Sequence, residues 1–237
     1  MHSFTEENYL KAIYALTQKG EGMPENFPPD SSPSASSDPP PVNTNAIAER
    51  VATKAASVTD MLKKLADKQL IHYQKYQGVT LTEAGRKAAL NIIRRHRLWE
   101  VFLVDKLGFG WHEVHSLAEE LEHIRSDELI DKLEAFLGNP RVDPHGDPIP
   151  DHAGKVRHPV SRTLSVTQAD QTVLVTGVLE HSSTFLQYLE KIGLVLGVEV
   201  LVRELNGFDK SLLIRINHHD TFISHEVARN VLVSGKD

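Results

Sequence analysis

The 237-residue chain contains no cysteine. Disulfide bonds, thiolate-bound zinc and iron–sulfur clusters are therefore excluded. Any bound metal has to be held by histidine nitrogen and carboxylate oxygen. That donor set suits Mn²⁺, Fe²⁺, Co²⁺ or Zn²⁺ better than the softest metals.

Targeting and membrane signals are also missing. No apolar run approaches the roughly 18 residues that a membrane helix needs. The N-terminus, MHSFTEENYLKAIY, has neither the basic nor the apolar region of a secretory signal. We therefore expect a cytoplasmic protein with no membrane partner. P-loop, GxGxxG and HExxH motifs and a Ser/His/Asp grouping are absent as well, so nucleotide chemistry has no support and a zinc peptidase is disfavoured.

The chain has no excess of positive charge, because its formal net charge is −6. The charge is unevenly distributed, however. Residues 50–100 carry eleven Lys or Arg against four Asp or Glu, whereas residues 101–180 carry seven against fourteen. A basic block followed by an acidic block indicates one part that meets phosphate and another that meets cations.

Hydrophobic spacing and turn residues predict the secondary structure of the N-terminal region. Ser3 and Glu6 form a capping box for a helix that runs from Ser3 to about Gln18. Residues 20–42 are dense in Pro and Ser and are predicted to be a disordered insertion. Two short helices, the first capped by Thr44 or Asn45, and a β-hairpin then follow in the order of a winged helix-turn-helix. We assign this domain to residues 1–82; a small α/β domain that binds no nucleic acid is the alternative.

Helical patterns dominate residues 83–150. We predict one helix from Glu83 to about Phe102, another from about Trp111 to Ile124, and a third capped by Ser126. Residues 151–163 form a linker, and residues 164–237 contain short β-rich runs that fit an SH3-like barrel. The predicted fold class is therefore mainly α with small β parts.

The stretch EVHSLAEELEH, residues 113–123, is rich in potential metal ligands. At 100° per residue, four of these side chains fall within an arc of about 100° on one face of the helix. They are His115, Glu119, Glu122 and His123. Taken alone, this helix could equally be a solvated amphipathic helix.

The preceding helix favours a metal. His96 and Glu100 are one helical turn apart within an apolar stripe, where an imidazole and a carboxylate are costly unless something pairs with them. A divalent cation between the two helices would satisfy both groups. The alternative is that Glu100 pairs with an arginine such as Arg97 and that His96 is a hydrogen-bonded core histidine.

Several linked stretches occur in one order, and together they resemble the diphtheria-toxin-repressor/manganese-transport-regulator family, in its three-domain type with a C-terminal FeoA-like SH3 domain. They are TEENYLKAIY, SVTDMLKKLADKQLI, YQGVTLTEAGRKAAL, RRHRLWEVFL, EVHSLAEELEHIRSDEL and DPHGDPIP. The resemblance implies a metal-dependent repressor of metal-ion uptake genes, not an enzyme, with Mn(II) or Fe(II) as corepressor. It also implies a homodimer that binds a palindromic operator in double-stranded DNA, with no small-molecule substrate.

The resemblance also implies two metal sites. The first consists of His96, Glu100 and His115, completed by Glu180 or His181 from the SH3-like domain. The second consists of Glu119, Glu122 and His123, with Asn8 of the first helix. Iron-responsive members usually carry Cys at the position of Glu119, so its hard carboxylate favours Mn(II) over Fe(II). Manganese members often have Asp and Glu where this chain has Asn8 and Lys11, and a charged Lys11 cannot ligate.

On the second helix of the winged domain, the motif implies groove-facing residues and phosphate contacts. The groove-facing residues are Ala56, Ser57, Thr59 and Asp60, and the phosphate contacts are Lys63 and Lys64 with Lys75 and Tyr76 in the wing. Two other interpretations remain: a metallohydrolase that uses the same His/Glu face, and a winged-helix DNA binder whose metal is purely structural.

Overall fold

In this computed structural model the chain is described over residues 3–20, 40–74 and 77–235. The N-terminal part contains three helices and a hairpin. These are α1 (Phe4–Gly20), α2 (Thr44–Arg50), α3 (Ala55–Asp67), β1 (Ile71–Gln74) and β2 (Gly78–Leu81). Their apolar faces share a core that includes Leu10, Ile13, Ile47, Leu62 and Val79, all fully buried. The order is that of a winged helix-turn-helix, as the sequence predicts.

Local capping explains where α1 and α2 begin. The Ser3 N–H donates to Glu6 Oε2 at 2.8 Å and the Glu6 N–H donates to Ser3 Oγ at 3.3 Å, which confirms the capping box. The prediction for α2 is wrong by one or two residues. Asn43 caps this helix, because its side-chain oxygen accepts the N–H of Asn45.

The prediction of a disordered insertion at residues 20–42 is wrong at both ends. Residues 21–39 lie outside the described residues. Gly20 still belongs to α1. Val42 is buried and exchanges two backbone hydrogen bonds with Val79 of β2, at 2.8 and 3.0 Å. The chain therefore enters the winged domain alongside the hairpin.

A second all-helical part follows, with α4 (Glu83–Asp105), α5 (Val114–Leu121) and α6 (Asp127–Phe136). Thr82 and Ser126 cap α4 and α6 as predicted, accepting the N–H groups of Gly85 and Leu129. Helix α5 is shorter than predicted. Glu113 accepts the N–H of Gly110 and closes a turn before the helix, and a tight turn at residues 122–123 ends it.

The C-terminal part is a six-stranded antiparallel sheet with the order β3-β8-β4-β5-β6-β7. The strands are β3 (Arg162–Thr163), β4 (Thr172–Val178), β5 (Glu199–Leu205), β6 (Leu212–Ile216), β7 (His219–Ile223) and β8 (Val231–Gly235), with helices α7 (Ser183–Lys191) and α8 (His225–Arg229). β3 lies within the segment predicted as linker. This small sheet completes the predicted mainly α fold with small β parts. None of the described helices has the length and apolar character needed to cross a bilayer.

Residues 140–150 form a loop between α6 and the linker, and this loop packs against β4. Gly146 has φ of +91°, and a Cβ there would lie 2.2 Å from the Thr176 carbonyl oxygen, so the backbones approach as closely as only glycine permits. The Val178 N–H donates to the His145 carbonyl at 2.9 Å. Trp111, which precedes α5, belongs to the core of the C-terminal sheet. The helical and β parts are thus in direct contact.

Candidate metal centre

Helices α4 and α5 bring three predicted ligands together. His96 Nε2 lies 3.0 Å from Glu100 Oε1 and 3.2 Å from His115 Nδ1, and His115 Nδ1 lies 3.4 Å from the same Glu100 oxygen. His96 and Glu100 are buried, whereas the His115 side chain is 60% exposed. The three ligand atoms lie within 4.8 Å of one another, so a single ion could contact all of them from the solvent side.

The electrostatics of this cluster suit a cation. Burial alone would raise the pKa of Glu100, but hydrogen bonds with His115 and His96 hold it well below its usual range. Hydrogen bonds with Glu100 and Glu119 raise the pKa of His115 to about 9. Without metal, protons therefore supply the positive charge. Two imidazoles and a carboxylate form an N/O donor set that fits Mn²⁺, Fe²⁺, Co²⁺ or Zn²⁺.

Arg97 forms its ion pairs with other carboxylates than Glu100, unlike the alternative considered from the sequence, although the nearby charge of Glu100 still contributes to the raised pKa of Arg97. Its guanidinium lies 2.9 Å from Asp147 and 3.5 Å from Asp143, and no described ion pair joins it to Glu100. His96 is hydrogen-bonded, as that alternative supposed, and its partners are Glu100 of the cluster and the buried Glu122.

Lys11 of α1 lies among the residues predicted to form the second site. Its ammonium is 2.7 Å from Glu122 Oε2, 3.7 Å from Glu119 Oε1 and 3.4 Å from His96 Nδ1. Glu122 is completely buried, and its Oε2 also lies 2.6 Å from His96 Nδ1. The charged amine therefore supplies positive charge where a second ion was predicted.

The other predicted ligands of the second site point elsewhere. His123 Nδ1 lies 2.7 Å from Glu7 Oε2, and its ring stacks on Phe4 with 4.4 Å between centroids. Asn8 is exposed, and within the described ranges no polar contact joins it to Glu119, Glu122 or His123. The sequence analysis missed Glu7 as a partner. The available signal was the spacing of Glu7 and Lys11, which lie one turn apart on α1.

Among the described residues, the group of potential ligands formed by His96, Glu100 and His115 includes neither C-terminal candidate. Glu180 Oε1 accepts the N–H of Ser182 just before α7. The His181 ring lies 5.1 Å from the ring of His145 instead. His145 and Asp143, which the sequence analysis treated only as part of the DPHGDP loop, form a second group of potential ligands with Glu100.

The predicted DNA-contacting residues lie on α3 and the hairpin. Ala56, Ser57 and Asp60 are exposed, and Lys63 forms an exposed ion pair with Asp60. Thr59 is half-buried and donates its hydroxyl to the Ala55 carbonyl. Lys75 and Tyr76 lie outside the described residues.

Lys64, a predicted phosphate contact, is ion-paired within the protein. Its ammonium lies 3.0 Å from Glu6 Oε1, and Lys68 contacts the same carboxylate at 2.8 Å. Burial would raise the pKa of Glu6, but hydrogen bonds from Lys68, the Ser3 N–H and Lys64 lower it to about 2. The described structure therefore engages Lys64 in fastening α3 to α1.

Three family models match consecutive parts of the chain. The DNA-binding domain of iron-dependent repressors matches residues 34–79, their metal-binding and dimerisation domain residues 82–151, and the FeoA domain residues 162–235. A winged helix followed by a His/Glu centre and a FeoA-type domain defines a class of metal-dependent DNA-binding regulators.

Individual relatives agree with this class. A manganese-dependent transcriptional repressor in complex with manganese is 33% identical, with a TM-score of 0.75 over 98% of this chain and 100% of that one. The manganese regulator SloR is 30% identical, with a TM-score of 0.68 over 98% of both chains. Iron-dependent repressor IdeR of Mycobacterium tuberculosis (strain ATCC 25618 / H37Rv) is 28% identical over 97% of this chain and 96% of its own length. The chain belongs to the diphtheria-toxin-repressor family of metal-dependent transcriptional repressors.

Proposed function

We propose that this protein is a homodimeric, cytoplasmic repressor that binds a palindromic operator of metal-uptake genes when a divalent ion occupies the His96–Glu100–His115 cluster. The observation that carries the proposal is the convergence of these three side chains on one point at the α4–α5 junction. A buried carboxylate between two imidazoles needs a cation or protons, and the exposed His115 gives an ion access.

A chain of contacts supports a link from this cluster to the winged domain. A bound ion would supply positive charge to the three ligands. His96 Nδ1, the ring nitrogen that faces away from the cluster, lies 2.6 Å from Glu122 and would donate to it when Nε2 holds the ion. Glu122 also accepts from Lys11 of α1. Metal occupancy would thus favour one position of α1 and of the DNA-binding helices packed on it.

Mn(II) is the proposed physiological metal, with Fe(II) as the alternative and Zn(II) or Co(II) as substitutes in vitro. Glu119 supports this choice, because a hard carboxylate stands where iron-responsive members usually carry Cys. Its carboxylate lies 3.5 Å from His115 Nε2, beside the cluster. The proposal includes no catalysis. Glu122, the base that a hydrolase would need, is held by Lys11 and His96.

The test is operator binding measured by fluorescence anisotropy at fixed ionic strength, with and without Mn²⁺ after chelator treatment. We expect Mn²⁺ to tighten binding at least about tenfold in the wild type, a coupling of about 1.4 kcal/mol. His115→Ala should lose most of this gain, whereas the control His225→Ala, at the start of α8, should keep it. Binding that ignores Mn²⁺ while thermal stability rises would instead identify a purely structural metal.

A further inference from the structure

Lys11 extends from α1 toward α4 and the end of α5, to the place where the sequence predicts a second metal ion. Its Nζ lies 2.7 Å from Glu122 Oε2, 3.4 Å from His96 Nδ1 and 3.7 Å from Glu119 Oε1. An ammonium group carries three N–H donors and a compact positive charge. It therefore contacts two carboxylates and an imidazole, which are groups that would otherwise attract a metal ion.

A second ion at this place would lie close to the ammonium. Bonds between a divalent ion such as Zn²⁺ and a carboxylate oxygen are about 2.0–2.2 Å long. Because Glu122 Oε2 already lies 2.7 Å from Nζ, an ion bound to that oxygen would be within about 5 Å of the Lys11 charge. Glu122 is completely buried, so water and salt screen the repulsion between the two cations only weakly.

The other predicted ligands do not converge with Glu122. His123 Nδ1 lies 2.7 Å from Glu7 Oε2, and the second oxygen of Glu7 lies 3.2 Å from Arg125 Nε. Among the described residues, the groups of potential ligands that lie close enough to share one ion include neither Glu122 nor His123. The donor set for a second ion is therefore incomplete, and Lys11 already neutralises part of its charge.

The carboxylate of Glu122 shows what removal of the ammonium would release. Its Oε1 is buried and has no hydrogen-bond partner among the described residues. Its Oε2 contacts Lys11 and His96, so a substitution of Lys11 leaves it one of these partners. A carboxylate at position 11 would face Glu122 and Glu119, and carboxylates that face one another in a buried place are unfavourable unless a cation lies between them. Lys11→Glu should therefore create a site for a divalent ion.

We infer that the ammonium of Lys11 takes the place of a second metal ion in this chain. Helix α1 thus contributes its own cation to its contact with α4 and α5. The ion at the α4–α5 junction then acts on α1 through His96, Glu122 and Lys11, without a second ion. This last step rests on the proposed function. The occupancy of the place beside Glu122 does not, since it is independent of whether DNA affinity responds to metal.

The test counts Mn²⁺ ions per chain at saturation, by equilibrium dialysis and elemental analysis of the full-length protein. We expect Lys11→Glu to bind one more ion than the wild type. Lys11→Arg keeps the positive charge and should bind the same number of ions as the wild type. The control is Lys132→Glu, an equal change of charge at an exposed position on α6, and it should also match the wild type.

Glu122→Gln locates the added ion. In the wild-type background it should leave the Mn²⁺ count unchanged, because no ion uses Glu122 there, and in the Lys11→Glu background it should remove the extra ion. Anomalous diffraction above and below the Mn absorption edge gives a second readout. We expect a peak beside Glu122 in crystals of Lys11→Glu and none at that place in the wild type. Circular dichroism in chelator would show whether each variant is folded.

An Mn²⁺ ion beside Glu122 in the wild type, or a wild-type count that falls by one with Glu122→Gln, would overturn the inference. These two measurements test it even if Lys11→Glu fails to fold. Equal counts in the wild type and in folded Lys11→Glu would also overturn it, because the ammonium would then not be what excludes the ion. Operator affinity that fails to respond to Mn²⁺ in the wild type would contradict the proposed function and leave the occupancy beside Glu122 unaffected.

Discussion

His115 reaches solvent while its partners His96 and Glu100 are buried, so its proton can exchange with a metal. Its pKa is raised to about 9 by hydrogen bonds with Glu100 and Glu119, against an ordinary value of 6.5. A raised pKa means that the protonated form stabilises the folded, metal-free protein. That contribution is fully present below pH 6.5 and is lost as the pH rises through about 9.

We therefore expect the difference in free energy of unfolding between wild type and His115→Ala, measured in EDTA, to fall between pH 6.5 and 9. Urea denaturation at several pH values would check this. In excess Mn²⁺ the proton should already be displaced, so the pH dependence over this window should be weaker. A difference that stays constant across the window would show that His115 is not protonated in the metal-free protein.

Lys11 is a counter-charge of the fully buried Glu122, with 2.7 Å between Nζ and Oε2. Lys11→Met retains the aliphatic stem but, among the described residues, leaves that carboxylate hydrogen-bonded only to His96. We expect a loss of about 2 kcal/mol in chelator, measured by urea denaturation, because a buried charge that loses its partner is strongly destabilising.

The matched control for Lys11→Met is Lys132→Met, which breaks an exposed pair with Glu128. It should change stability by less than about 0.5 kcal/mol. Equal effects of the two substitutions would mean that Lys11 contributes only an ordinary surface interaction.

Helix boundaries show how far local sequence determines an element. Ser3, Thr82 and Ser126 were predicted as caps, because a cap depends on residues within one turn. The apolar stripe around His96 and Glu100 likewise predicted part of the metal site, because it too is a pattern within one helix. By contrast, Lys11 with Glu122 and His145 with Glu100 are 111 and 45 positions apart in the numbering of the chain. Such partners depend on how helices and loops pack, which periodicity does not encode.

Gly85 fixes the junction between the hairpin and α4. A Cβ at this position would lie 1.8 Å from the Leu70 carbonyl oxygen, a contact with backbone that cannot move aside easily. Gly85→Ala should therefore destabilise the protein by about 2 kcal/mol, although alanine is the better helix former. Thermal or urea unfolding would measure the change.

The neighbouring exposed residue provides the control for Gly85→Ala. Ala84→Gly should cost at most about 1 kcal/mol through helix propensity alone. If Gly85→Ala stabilised the protein, the close approach of Leu70 to the start of α4 would be refuted.

At the scale of the whole molecule, the basic and the acidic blocks of the sequence lie in different parts of the fold. The block with a local excess of Lys and Arg forms α3, the hairpin and most of α4, and the acidic block supplies Glu119, Glu122 and Asp143. Lys64 and Lys68 hold Glu6 of α1 rather than standing free, so part of the basic charge is structural. Net charge alone would have argued against a DNA-binding protein, and only its distribution argued for one.

An exposed apolar patch on α6 is the surface that best fits the proposed two-fold dimer. Leu129 and Phe136 are seven residues apart and so lie on one helix face, 41% and 65% exposed. Patches of this kind usually mark protein–protein contacts, and the family model over this region describes a dimerisation domain. Phe136→Asp should weaken dimerisation at least about tenfold, because a charge buried in an apolar interface is strongly disfavoured.

Analytical ultracentrifugation over a range of concentrations would measure the effect of Phe136→Asp. Phe208→Asp is the control, since Phe208 is 97% exposed in the loop between β5 and β6, away from α6. The control should sediment as the wild type does and keep its operator affinity. Phe136→Asp should lose operator affinity in parallel with dimerisation, because a palindromic operator is read by two recognition helices held at a fixed spacing. If Phe136→Asp remained dimeric with full operator affinity, the two-fold contact would have to lie on another face of the helical domain.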